Sequence, residues 1–271
     1  MNRLLKLAAP PAAALLAAAV AGSACGQAVP PATTSPAGSG SQNTAAQAQA
    51  RPRGPAPRLA DGTPDLSGVW QGGGPIGDIS MGLMPGEEIK LKPEYEKLMK
   101  SRQAADDPEA RCLPTGVPRI APYPWRIVQS PAQGKATHLF FLFEGNIHSY
   151  RQIFMDGRGH PDDLDPTWYG HSIGHWEGDT LVVETVGFND LFWFDFVGHP
   201  HTTQLRTVER YTRKDEGTLE NVTTVYDPGA YEKPFTIKFN ATLRPGEDLM
   251  EYICNENNGY VHHITGPAKD F

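Results

Sequence analysis

From Trp125 onward the chain alternates short β-branched and aromatic runs with polar turns. Phe235, Ile237, Phe239, Ala241 and Leu243 are separated by single polar residues, the period of two that gives a strand one apolar and one wet face. Comparable runs over 125–130, 137–144, 147–154, 168–176, 179–186, 203–212, 219–226 and 249–254 predict further strands. The turns between them are short, among them Ala132-Gln133-Gly134, Gly145-Asn146 and Glu177-Gly178, so neighbours in sequence are expected to pair antiparallel. Leu66–Trp70 adds an early strand before Gly72-Gly73-Gly74. A single helix is expected around 93–99, with Pro93 early and Glu94 and Glu96 in its first turn. About ten strands with so little helix to cover a sheet face imply a mostly β fold: an antiparallel meander closed into a β barrel or a strongly coiled sandwich.

The N-terminus has another character. Arg3 and Lys6 precede an Ala/Leu-rich run to Val20 and the small residues Ala21-Gly22-Ser23-Ala24, so residues 1–25 are expected to be a secretory signal peptide. Cys25 then admits two outcomes, acylation as a periplasmic lipoprotein anchor or ordinary cleavage nearby; Gly22 departs from the larger aliphatic residue usual in a lipobox. Residues 26–57 are rich in Pro, Ala and Ser and have too little apolar surface to offset the entropy of ordering, which makes them a linker. Residues 58–271 remain for a single β domain. The net charge of −7 offers no basic stripe for a nucleic-acid partner, and contact with a membrane is expected only through the lipid anchor. In an oxidising periplasm Cys112 and Cys254 are expected to form a disulfide; two buried free thiols are the alternative.

Candidate chemistry is concentrated between Arg151 and Arg210, and six of the nine histidines lie between His148 and His201. On a regular strand Tyr169, His171, Ile173 and His175 share one face, but four residues separate the two imidazoles by about 13 Å, too far for one metal ion. His199 and His201 are about 7 Å apart by the same rise, still wide for co-ligation, and no HExxH or CxxC spacing supports a metal centre. No cofactor is expected.

An acid/base site is the better chemical reading. Histidine titrates near neutrality, and Asp195 or Glu209 is available to orient it. Glu209 alternates with Thr207 and Tyr211 and is expected to need a cation, Arg151 or Arg210; a salt-bridge network is the structural alternative to catalysis. Gly170-His171-Ser172-Ile173-Gly174 has the letters of a nucleophile elbow, but a strand and a turn follow where an elbow requires a helix. Aromatic residues crowd the same region. Trp168, Tyr169, Trp176 and Phe192-Trp193-Phe194 belong either to the core or to the wall and lid of a ligand pocket. The sequons at Asn221 and Asn240 fall inside expected strands and carry no weight in a bacterial chain.

Asp65-Leu66-Ser67-Gly68-Val69-Trp70, Asp156-Gly157-Arg158 with His160-Pro161, the run Trp176 to Thr185 (WEGDTLVVET), Gly198-His199-Pro200-His201-Thr202, Glu209-Arg210 and Asp227-Pro228 together give the chain a family likeness. It resembles a large uncharacterised family of exported bacterial proteins, over nearly all of the expected domain. The resemblance implies that Arg151, His160, His201 and Glu209 occupy motif positions, whereas His175 and His199 stand where relatives carry other residues. It brings no reaction with it.

The expectation is therefore an exported β barrel with an aromatic-lined pocket for a small molecule. His171, His201, Glu209 and Arg151 are the catalytic candidates for a hydrolase or lyase, and Tyr169, Trp176, Trp193 and His160 the ligand-binding candidates. A non-catalytic lipocalin-like binding or envelope protein and a metal-dependent hydrolase or lyase are the alternatives.

Overall fold

A computed structural model describes residues 52–119, 123–132, 135–145, 149–254 and 256. The expected signal peptide, Cys25 and most of the linker lie outside these residues, as do parts of the Gly134 and Asn146 turns.

Nine strands form a closed barrel in chain order: β1 (Gly68–Gly72), β2 (Trp125–Ala132), β3 (Lys135–Phe143), β4 (Ser149–Phe154), β5 (His171–Glu177), β6 (Thr180–Val186), β7 (Arg206–Asp215), β8 (Thr218–Tyr226) and β9 (Phe235–Leu243). Closure runs through Trp70 of β1, which pairs with Trp125 of β2 on one side and Leu243 of β9 on the other. Every pairing is antiparallel except β4 with β5, a short parallel contact at Ile153↔Ser172 and Phe154↔Ile173. The long connection over 155–170 brings the chain back to start β5 in the direction of β4, which a tight turn cannot do.

Two expectations about elements are corrected. Residues 249–254 form no strand, because β9 already pairs with both β8 and β1 and a closed barrel has no edge left for a further strand. That segment is held by the Met250 amide donating to Glu144 Oε2 at 2.8 Å and by the Cys112–Cys254 disulfide. β5 begins at His171, since Gly170 takes a left-handed conformation (φ +63°). A Cβ there would sit 2.5 Å from the Val186 carbonyl oxygen. The one α-helix among the described residues, α1 (Pro93–Ser101), has Pro in its first turn as expected and buries none of its residues.

Alternation along the strands fills the barrel with two apolar clusters. The first contains Leu66, Trp70, Trp125, Ile127, Leu139, Phe141, Phe143, Leu181, Val183 and Leu219. The second contains Ile79, Val117, Phe188, Phe192, Phe194, Leu205, Val225, Phe235 and Ile237. From Leu205, just before β7, the chain passes to Tyr211 in the other cluster through Thr207 and Glu209, and β8 passes from Leu219 to Val225 through Asn221 and Thr223. A polar belt thus separates the two clusters.

The segment over 107–119 packs onto this interior. Gly116, at φ +67°, lies so close to Phe192 that a Cβ would be 2.3 Å from the ring, and Arg119 is buried against Asp107 at 2.8 Å and against Glu109. Cys112 ties the segment to Cys254 across 142 residues of sequence. A cross-link closing so long a loop restricts the unfolded chain, and Cys112→Ser with Cys254→Ser should cost about 3–5 kcal/mol. The guanidinium midpoint should fall accordingly, and the same midpoint with and without the bond would contradict it.

Candidate functional site

The interior belt is built by the two-residue period. Arg151 on β4, Ser172 on β5, Thr185 on β6, Thr207 and Glu209 on β7, and Asn221 and Thr223 on β8 are all buried. Arg151 Nη2 donates to Glu209 Oε2 and, at 2.5 Å, to Thr185 Oγ1, while its Nε donates to Ser172 Oγ at 2.9 Å. Tyr211 donates its hydroxyl to Glu209 Oε1 at 2.7 Å, so both carboxylate oxygens are engaged. Asn221 donates to the Gly73 carbonyl at 3.1 Å and accepts from the Thr223 hydroxyl at 3.0 Å. Thr207 Oγ1 has no partner among the described residues.

Burial disfavours the Arg151 charge, but the adjacent Glu209 outweighs it and holds the guanidinium above its ordinary value. Burial, and then the Glu209 charge, pushes the Tyr211 phenol well above the ordinary tyrosine range, so it stays a donor. The pair is neutral as a whole. The Tyr211 hydroxyl also interacts with the guanidinium and helps to hold its charge.

Beside the pair is a cavity of about 10 Å³, room for roughly one water molecule. It is lined by Trp125, Phe141, Phe143, Tyr211, Arg151, Glu209 and Asn221 together with Val117 and Pro118. Phe141 and Tyr211 meet edge to face at 5.3 Å.

The four catalytic candidates divide. Arg151 and Glu209 meet inside the barrel, but His171 points out from β5, where its Nδ1 is 2.8 Å from His160 Nδ1 and its ring stacks on Phe154 at 5.0 Å. His201 is buried in the second cluster, 3.8 Å from the Phe192 ring centroid and 5.1 Å from that of Phe194. Burial pushes its pKa down to about 3; the Thr202 and Phe192 carbonyls offset only part of that, and Arg102 adds to it. A base titrating that low is poorly matched to proton abstraction at neutral pH.

The ligand-binding candidates are equally dispersed. Tyr169 does not share the face of His171, because the Gly170 turn breaks the alternation. It packs against both clusters and stacks on Phe143 at 5.9 Å, with its hydroxyl 2.7 Å from Ser149 Oγ. Burial raises its pKa to about 12 despite that hydrogen bond. Trp176 packs against the first cluster. Trp193 lies under the Arg102 guanidinium at 4.6 Å, outside the cavity lining. His160 lies on the outer wall with His171, and Ser172 serves the belt from mid-strand.

Asp78, Asp195 and His199 place ligating atoms within 4.8 Å of one another. Asp195 already accepts from the amides of Ile79, Gly198 and His199 and pairs with His199 Nδ1 at 2.6 Å, so its oxygens are committed to holding the 195–199 loop. Burial alone would raise the Asp195 pKa, but His199 and these amides lower it.

Reading from sequence passed over Tyr211, Asn221, Thr185 and the cavity walls Trp125, Phe141 and Phe143. The alternation Thr207, Glu209, Tyr211 held the signal for Tyr211; Asn221 was read as part of a sequon. Comparison with protein-family models, curated proteins and solved structures gives no match to the chain.

His201 makes stability pH-dependent in a definite sense. Its folded-state pKa lies near 3 and its unfolded value near 6.5, so between those limits the unfolded chain binds the extra proton. Its contribution is present above pH 6.5 and is lost as pH falls towards 3, by up to about 1.4 kcal/mol per pH unit. Replacement by Phe, which suits the aromatic surroundings, should flatten urea-unfolding stability against pH by that one proton. An unchanged slope would count against a neutral buried imidazole.

Proposed function

We propose that the protein is an exported, small-molecule-binding barrel, related to the exported bacterial family its motifs resemble, in which the interior belt receives the polar end of an uncharged ligand. The observation that carries the reading is an aromatic-walled cavity lined by the polar groups of Arg151, Glu209 and Asn221. Trp125, Phe141 and Phe143 suit a flat apolar body, and the Arg151 guanidinium and Asn221 amide in the lining suit a carbonyl or hydroxyl oxygen. An anion fits less well, because Glu209 already neutralises Arg151 and a second buried negative charge would go uncompensated. Entry requires the lining to give way, since the cavity has room for little more than a water molecule.

The binding reading is preferred to the hydrolase or lyase reading because both Glu209 oxygens are occupied and neither candidate imidazole lines the cavity. Export is supported by the Cys112–Cys254 bond, which belongs to an oxidising compartment.

Chemical-shift titration with acetophenone, ethylbenzene and benzoate tests this. Acetophenone should saturate, shifting the Asn221 side-chain amide and the Trp125 indole N–H, and bind at least tenfold tighter than benzoate. Replacing Arg151 by Met together with Glu209 by Gln should erase its preference over ethylbenzene. Failure of all three to shift those signals, or a preference that survives the double replacement, would refute interior binding.

A further inference from the structure

The outer wall carries a second arrangement, independent of the interior reading. His171 and Glu184 alternate with the inward-facing Ser172, Val183 and Thr185, so both point outward, and the 155–170 connection brings His160 against them. The two imidazoles meet Nδ1 to Nδ1 at 2.8 Å, with ring centroids 5.0 Å apart, so a single proton is shared between them.

The surroundings decide which ring carries it. His160 Nε2 is buried, has no hydrogen-bond partner, and faces Glu184 Oε1 at 4.0 Å. Arg206 fixes that carboxylate through contacts of 2.9 and 3.1 Å. A lone pair on Nε2 would face a negative charge, whereas an N–H there faces an acceptor, so His160 keeps its proton on Nε2 and presents the Nδ1 lone pair. A carboxylate behind one ring nitrogen, leaving the other free to ligate, is the outer-shell pattern of metal-bound histidine. His171 is held by stacking on Phe154, which also meets the His138 ring edge-on at 5.4 Å and Arg158 at 4.1 Å, and Arg158 is itself paired with Asp156 at 2.9 Å. Both neighbouring guanidiniums are thus paired with carboxylates, although each still disfavours a positive charge on the adjacent imidazole.

We propose that His160 and His171 form a surface site for an imidazole-preferring divalent ion of the zinc and copper class, held by the two Nδ1 atoms with solvent completing its shell. On binding, the rings tilt apart and the His171 proton passes from Nδ1 to Nε2; both imidazoles stay neutral and each donates one lone pair. Mg²⁺ and Ca²⁺, which demand oxygen ligands, are excluded by the same donor set.

Calorimetric titration of the metal-stripped mature protein with Zn²⁺ tests the assignment. One equivalent should bind with micromolar affinity, weakened at least tenfold by His160→Ala or His171→Ala and about tenfold by Glu184→Gln. His175→Ala, which removes an imidazole outside the pair, should leave affinity unchanged, and Mg²⁺ should give no heat. Imidazole ¹⁵N spectra of the unaltered protein provide a readout independent of variant folding, with the Nδ1 signals of both rings moving on zinc addition. Equal zinc affinity in the His160→Ala/His171→Ala protein, unmoved Nδ1 signals, or no binding below millimolar zinc would overturn the proposal.

Discussion

A closed barrel has no strand edge to turn toward solvent, so whatever its strands direct inward must be satisfied inside. In this chain the inward set includes a full ion pair, Arg151 with Glu209, each almost wholly inaccessible. Taking two charges out of water costs several kcal/mol per ion unless geometry and further hydrogen bonds compensate. Ser172 on β5, Thr185 on β6 and Tyr211 on β7 supply those bonds. The belt therefore links β4, β5, β6 and β7, and it lies where the short parallel contact gives β4 and β5 few backbone pairs. Side-chain hydrogen bonds across that seam reinforce what the ladder there lacks.

The barrel itself was legible because its signal is local. Period-two alternation and short turns located nearly every strand within a few residues, and β9 matched its expected bounds. What alternation could not carry was a count set by closure: the apolar run at 249–254 looks like a strand, and only the prior occupation of both edges of β9 excludes it. The expected disulfide was legible from two cysteines and a compartment, and it joins the segments that the barrel leaves outside its ladder.

The site was half legible. Glu209 needed a cation, and Arg151 was one of two within reach of the argument. Arg210 instead points outward to Glu177 at 2.7 Å, as its place next to Glu209 on a strand requires. The histidines misled because density along the sequence was read as convergence in space, and alternation and the 155–170 connection sent them to different surfaces. Much of the motif chemistry holds the fold. Asp227 binds the Thr202 amide and hydroxyl, both at 2.6 Å, Glu177 pairs with Arg210, and Asp179 pairs with Arg58 at 2.6 Å.

If the belt is organised around the ion pair, removing one charge should be worse than removing both. Denaturant unfolding of Arg151→Met, compared with Arg151→Met/Glu209→Gln, measures this directly. The single replacement strands a buried carboxylate and should cost about 3–5 kcal/mol, whereas the double leaves a neutral amide that Tyr211 can still engage and should recover most of that loss. Additive losses, or a single replacement costing less than about 1 kcal/mol, would contradict a desolvated pair at the centre of the barrel.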